Sequence, residues 1–335
     1  MIVHKRMVYL EYFRFPSFNK EDSALNGLTS IENFFNKSMG QLYPFRILST
    51  NDFQSIEFSP ITFLYGGNGS GKSTALNVIS NTLHIKRDSP YNTSMYMDEY
   101  IKLCSFKTNS KWSGEEFNFV GERQAKYDIA EVSRMITSDD IFKSVMDFRI
   151  NNDQKLYKSK ILSKEISIVK GIGTSDKDKR YETIKSINPD SGENLEEYKR
   201  FWAMKKATSF SQYLTSKLGR IERGFSNGEN SMMYLAEEIK QAGLYLLDEP
   251  ENSMSCKFQK QLAEIIEYSA VHCNSQFIIA THSPFLLAIP DAKIYNLDAD
   301  PVCVSKFWEL DNMVDYYYLF ESFSEQIKQT MCESE

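Results

Sequence analysis

The sequence predicts an α/β fold: a parallel core sheet, a β-rich N-terminal part and an inserted, mostly helical lobe. Three observations carry this. A continuous β run, Ile61-Thr-Phe-Leu-Tyr65, ends in glycines and passes into a segment whose apolar Leu76, Ile79 and Leu83 recur at helical spacing. Strand, glycine loop and helix open an α/β unit. Apolar strand-like runs return at Leu244–Leu247 and Gln276–Ala280, separated by a helical pattern at Lys257–Ser269. Between these halves the chain turns mixed and polar. The expected division is therefore 1–84, an N-terminal β subdomain with the glycine loop; 85–215, the inserted lobe; and 216–335, the second half of the core.

Taken in order, the first sixty residues alternate β-rich runs with polar breaks, at Val8–Phe15, Phe45–Ser49 and Ser55–Phe58. Tyr91–Tyr100 is irregular. Phe117–Val120 and Met135–Thr137 read as short strands, and Ile141–Arg149 as a helix. Residues 171–192 are rich in turn formers and charge and read as a mobile loop. Asn194–Leu218 returns to a helical pattern, without the sustained heptads of a coiled-coil arm. Asn230–Gln241 reads as a helix, and strand-like pieces follow at 293–297 and 302–308. A final helix carries the aromatic run Tyr316-Tyr-Tyr-Leu-Phe320, expected to pack in the core or between copies rather than to stack on bases.

Composition bounds the function. The chain has 335 residues, 41% hydrophobic and 25% charged, which is ordinary globular usage and excludes a disordered protein, a collagen repeat or a disulfide scaffold. No apolar run approaches the roughly 18–20 residues that cross a bilayer, so no membrane insertion is expected. The N-terminus reads as a first strand rather than a signal peptide. Five cysteines without a CxxC pair suggest reduced, mostly buried thiols and a cytoplasmic location. Net charge is −6, yet residues 154–223 hold 16 Lys and Arg against 9 Asp and Glu. This basic insert, including Lys205, Lys206 and Lys217, leaves contact with the DNA backbone open.

Gly66-Gly67-Asn68-Gly69-Ser70-Gly71-Lys72-Ser73-Thr74 satisfies GxxxxGK[ST]. Glycines let the backbone curl so that several N–H groups face one phosphate chain. Lys72 would reach the β- and γ-phosphates of ATP, and the Ser73 hydroxyl would bind Mg²⁺. The helix that follows adds its positive end. An apolar strand, Leu244-Tyr-Leu-Leu, then ends in Asp248-Glu249-Pro250. That geometry puts Asp248 beside the metal and Glu249 beside the γ-phosphate, where it would orient and deprotonate the attacking water.

Phe225-Ser226-Asn227-Gly228-Glu229 opens a helix 20 residues before Glu249, and a later strand ends in Ala280-Thr281-His282-Ser283-Pro284. With the phosphate loop and the acid-ended strand, this order resembles the P-loop NTPase head of ABC-type ATPases. Asp248-Glu-Pro-Glu-Asn-Ser253 and Thr281-His-Ser-Pro-Phe-Leu-Leu287, with Asn51-Asp-Phe53 and Ile56-x-Phe58, are similar to the SMC, RecF and OLD branch. The match spans about a third of the chain, roughly 45–84 and 220–300.

The resemblance implies several things. Ser226 and Gly228 belong to a signature motif that caps the γ-phosphate bound by an opposite subunit. His282, 33 residues after Glu249, is the switch histidine sensing that phosphate. Two copies pair head to tail around Mg·ATP, forming an ATP-dependent homodimer. The role implied is DNA repair or antiphage defence with a separate effector protein. Two alternatives stay open: an ATP-gated interaction module that touches no DNA, and a transporter nucleotide-binding subunit. The signature reads Ser-Asn-Gly-Glu rather than the transporter form, and Ser255 stands where a transporter carries Asp. The Q-loop is either Gln124 or Ser138-Asp139-Asp140. Only 46 residues follow Ile289, too few for the nuclease domain that OLD proteins append, so nuclease activity is not expected.

Overall fold

In the computed structural model the described residues are 8–28, 42–90, 92–109, 133–169, 226–239 and 242–333. Among them the elements run β1 (Leu10–Arg14), α1 (Phe18–Leu28), β2 (Ser55–Glu57), β3 (Ile61–Tyr65), α2 (Lys72–Thr82), α3 (Met97–Leu103), β4 (Ser105–Thr108), β5 (Arg134–Thr137) and α4 (Ser138–Val169). Then follow α5 (Asn227–Glu238), β6 (Leu244–Asp248), α6 (Cys256–His272), β7 (Gln276–Ala280), α7 (Pro284–Leu287), β8 (Lys293–Asn296), β9 (Cys303–Ser305), α8 (Asp311–Ser322) and α9 (Ser324–Glu333).

Two sheets form. A small antiparallel one has the order β2-β1-β4; the core sheet has the order β5-β6-β7-β3-β8-β9, parallel except for the β8–β9 pair. Strands β3 and β7 are buried along their whole length and β6 along all but its last residue, which is why they read as unbroken apolar runs. Successive side chains face opposite sides. Leu64, Leu246 and Ile278 join one apolar cluster with Leu76 and Ile79 of α2 and with the small sheet; Phe63, Leu247 and Ile279 join another with Leu262 and Ile266 of α6. The fold is α/β with a parallel-dominated sheet, as the sequence predicts.

The chain divides into two compact units, residues 1–142 with 227–335, and residues 143–226. The described parts of 85–142, including α3, β4 and β5, therefore belong to the unit that holds the core sheet. The described part of the second unit is the remainder of α4, and Ser226. The strand Phe117–Val120, the loop 171–192, the helix Asn194–Leu218, Gln124 and Lys205, Lys206 and Lys217 lie outside the described residues.

Several expectations need correction. Phe45–Ser49 is not a strand: Arg46 has φ +64°, its N–H donates to the buried Glu21 carboxylate at 2.8 Å, and Ser49–Asn51 make a 3₁₀ turn. The apolar spacing there serves burial of Phe45 and Leu48, not pairing. Residues 302–308 hold only the short β9 before a 3₁₀ turn at Phe307–Glu309, capped by the Lys306 N–H on the Glu309 carboxylate at 2.6 Å. Within the stretch expected to be irregular, residues 97–100 already belong to α3, and the C-terminal helix is two helices. The aromatic run is not core: Tyr316, Tyr317, Tyr318, Leu319 and Phe320 are all exposed. Five consecutive residues sweep about 100° each around a helix, so they cannot share one buried face. Nor are the thiols mostly buried, since Cys256, Cys303 and Cys332 are exposed.

Candidate functional site

In open parallel sheets, ligands gather at the carboxyl ends of the strands. Here β3 runs into the glycine loop, β6 ends in Asp248, β7 leads to His282, and β8 leads to Asp298. The loop 66–71 turns back tightly. Gly71 has φ +97°, and a Cβ there would lie 2.8 Å from Leu48 Cδ2, so no other residue fits without strain. Gly67, Asn68 and Gly69 form the exposed rim, while Gly71, Lys72 and Thr74 are buried. Lys72 opens α2 and folds its ammonium back across the loop, donating to Gly66 O at 2.6 Å and Gly67 O at 3.0 Å. Ser73 Oγ donates to Asp248 Oδ1 at 2.9 Å.

Glu249 leaves β6 with φ +48°, a left-handed conformation that concentrates at functional sites in residues other than glycine. Its N–H donates to Ala280 O at 2.9 Å, which pins the turn to the end of β7. Asn252 Nδ2 donates to Glu249 Oε2 at 3.1 Å. His282 Nε2 stands 3.6 Å from Glu249 Oε1, its ring edge-on to Tyr65 at 6.4 Å. The structure thus brings Lys72, Ser73, Asp248, Glu249 and His282 together. Ser226 lies just before α5, and Gly228 in the first turn of α5 is packed so closely on Phe258 that a Cβ would approach Cδ2 to 2.9 Å.

Several carboxylates gather at this edge around the Lys72 ammonium. Burial pulls the Lys72 ammonium below its ordinary value, while the carboxylates of Glu249, Asp248, Asp298 and Glu251 act to hold it up. Burial pushes Asp248 up to about 6; Glu249 adds to this, and the Ser73 hydroxyl, Lys72 and Arg87 oppose it. The buried Ser70 Oγ and His282 Nε2, among others, have no hydrogen-bond partner among the described residues. Orphaned polar atoms beside hydroxyl and carboxylate oxygens are a donor set that suits a phosphate chain with Mg²⁺.

Other residues of the site carry no motif. Asp298 accepts the Gly67 N–H on both carboxylate oxygens, at 2.8 and 2.7 Å, from 231 residues away. Tyr43 OH accepts from Asn77 Nδ2 of α2 at 2.8 Å. Glu251 accepts from the segment 281–283. Of the two Q-loop candidates, Ser138-Asp139-Asp140 follows β5, whose Thr137 aligns with Asp248. Asp140 turns inward: it accepts from Thr137 N at 2.8 Å, Thr137 Oγ1 at 2.7 Å and Ser89 N at 2.6 Å. That is a capping box for α4, whose Thr-x-x-Asp spacing was visible in the sequence. Asp139 is exposed.

A family model described as ABC transporter matches residues 54–252, more than half of the chain. An AAA-domain model, whose description names a type IV TA system, matches residues 231–288. Among solved structures the chain is similar to the Smc head domain with an extended coiled coil bound to the C-terminal domain of ScpA from Pyrococcus furiosus. The identity is 15%, with 92% of this chain and 99% of that one covered and a TM-score of 0.44. It is also similar to the SMC head domain from Thermotoga maritima, at 13% identity, 89% and 99% coverage and a TM-score of 0.37. No curated protein matches. Among the described residues no helix is long and apolar enough to cross a membrane.

Proposed function

The chain belongs to the ABC transporter ATPase family, whose members bind and hydrolyse ATP, and from that premise we propose that it is a Mg²⁺-dependent ATPase head that closes as a head-to-tail dimer. The observation that carries the site assignment is the 2.9 Å contact between Ser73 Oγ and Asp248 Oδ1. It joins the two motifs on which phosphoryl-transfer sites of this kind depend.

Each residue then has a task. Loop amides of 66–74 and the Lys72 ammonium hold the phosphates, and Ser73 and Asp248 hold the metal. Bound Mg²⁺ supplies charge neutralisation at the transferred phosphoryl group. Glu249 accepts a proton from the attacking water. His282, facing Glu249, senses the terminal phosphate. Ser226 and Gly228 complete the site of the opposite copy, so that binding draws two chains together and hydrolysis releases them. Electrostatic positioning accounts for most of the rate gain in such sites.

The work coupled to this cycle is defence against phage or DNA repair, exerted through a separate effector protein. The AAA-domain match, whose description names a type IV TA system, supports a role shared with a separate partner protein. DNA contact, if made, would run through the basic 154–223 segment and would be salt-sensitive.

The test is light-scattered mass of Glu249→Gln with and without Mg·ATP, beside wild-type phosphate release. The substitution keeps the shape of the site and removes the base. A doubled mass on ATP and little hydrolysis are expected. Unchanged mass together with unchanged hydrolysis overturns the reading.

A further inference from the structure

Glu251 is a carboxylate that nothing in the proposed cycle uses, yet it is 8% exposed. A buried carboxylate is costly unless hydrogen bonds compensate it. One oxygen is fully engaged: Oε1 accepts from Thr281 Oγ1 at 2.5 Å, His282 N at 2.9 Å and Ser283 N at 3.1 Å. The other, Oε2, has no hydrogen-bond partner among the described residues. All three donors lie on consecutive residues at the end of β7, and the middle one is the backbone of His282.

The surroundings make this a clamp. Thr281 Oγ1 also accepts the Ser283 N–H at 3.0 Å, and Ser283 Oγ accepts from Leu286 N at 3.3 Å, capping α7. Ser283 Oγ in turn donates to Gln259 Oε1 of α6 at 2.8 Å. On the other side, the turn that carries Glu251 is held by Asn252 N to Glu249 O at 3.2 Å and Met254 N to Glu251 O at 2.9 Å. Glu249 and His282 are therefore both tied to one residue, the first by two peptide units and the second by a charge-assisted hydrogen bond, which is among the stronger kinds. Their side chains meet at 3.6 Å.

We propose that Glu251 is a positioning residue of the ATPase site, setting the backbone at 281–283 so that the His282 imidazole stands against the Glu249 carboxylate. The proposal rests on the ATPase reading above and deepens it. Glu251 touches no phosphate; it acts through His282. A misplacement of a reacting group by about 1 Å costs on the order of 100-fold in rate, so losing this support lowers kcat without changing how the phosphates are first held.

The experiment measures kcat and KM for ATP hydrolysis in Glu251→Ala and Glu251→Gln, each alone and in a His282→Ala background, with residue-resolved amide exchange of His282 and Ser283. Glu251→Ala is expected to lower kcat by on the order of 10–100-fold with KM within about twofold, and to speed exchange at both amides. Glu251→Gln keeps an acceptor oxygen and folds even where the alanine variant does not; its kcat falls between. In the His282→Ala background neither substitution lowers kcat further. An equal loss in both backgrounds, or amides as protected in Glu251→Ala as in the wild type, overturns the proposal. Failure of the ATPase reading shows separately, as phosphate release unaffected by Glu249→Gln, and removes the catalytic part of this proposal with it.

Discussion

Ser73 Oγ and Asp248 Oδ1 lie 2.9 Å apart although 175 residues separate them. Burial of Asp248, which the contact only partly offsets, sets a pH dependence. Asp248 is raised to about 6 from an ordinary value of 3.8, first by burial. A carboxyl raised on folding binds its proton more tightly in the native state. Its contribution to stability is therefore greatest below the unfolded value and is lost as pH climbs from about 4 through about 6. Without Mg²⁺, denaturant midpoints should fall across that window, and Asp248→Asn should flatten the fall. The variant gains at most about 3 kcal/mol above pH 6. Mg²⁺ binds the ionised form, so its stabilisation should grow over the same interval. An Asp248→Asn profile parallel to the wild type would refute the assignment.

Lys72→Ala should abolish tight nucleotide binding. The ammonium now spans Gly66 O and Gly67 O, so the substitution also frees two carbonyls at the mouth of the loop. A fluorescent ATP analogue should lose affinity by at least about tenfold, as expected for a hydrogen bond to a charged group of about 1.5–3 kcal/mol. Retained affinity would place the phosphates elsewhere.

Gly71→Ala combines a φ of +97° with a Cβ that would meet Leu48 Cδ2 at 2.8 Å. A loss of about 1–3 kcal/mol is expected, with nucleotide binding impaired. Leu48→Ala in the same chain relieves the clash and not the dihedral, so thermal melting should recover only in part. Full recovery would show that the backbone tolerates a side chain there.

Asp298→Ala removes both acceptors of the Gly67 N–H. The rim of the loop then loses an anchor outside every recognised motif. ATP affinity should drop by about 10–150-fold, the range for losing a charge-assisted bond, while Asp298→Asn, which keeps one acceptor, should drop less. Calorimetric titration distinguishes the two; equal affinity in all three proteins would leave Asp298 without a part in holding the loop.

What was legible in the chain follows a physical rule. Gly66 to Thr74 and Leu244 to Glu249 were readable because each is contiguous: a turn that needs glycine, a buried strand that needs unbroken apolar residues, and a helix start are all local requirements. The strand Ile61–Tyr65 and the helix after it appear where the pattern placed them. Phe45–Ser49 misled because burial alone produced a strand-like pattern. The core half of the expectation for the aromatic run from Tyr316 failed because hydrophobicity does not say whether anything in the same chain lies opposite.

By itself, then, the sequence determined the α/β class, the glycine loop between strand and helix, and the acids and histidine at strand ends. Tertiary structure alone decided which of these meet. Placing β7 between β3 and β6, and β8 on the far side of β3, sets His282 against Glu249, the 281–283 backbone on Glu251, and Asp298 on Gly67. Those partners stand from 30 to over 230 residues apart, and strand order, which no short window of residues encodes, is what closes the distance.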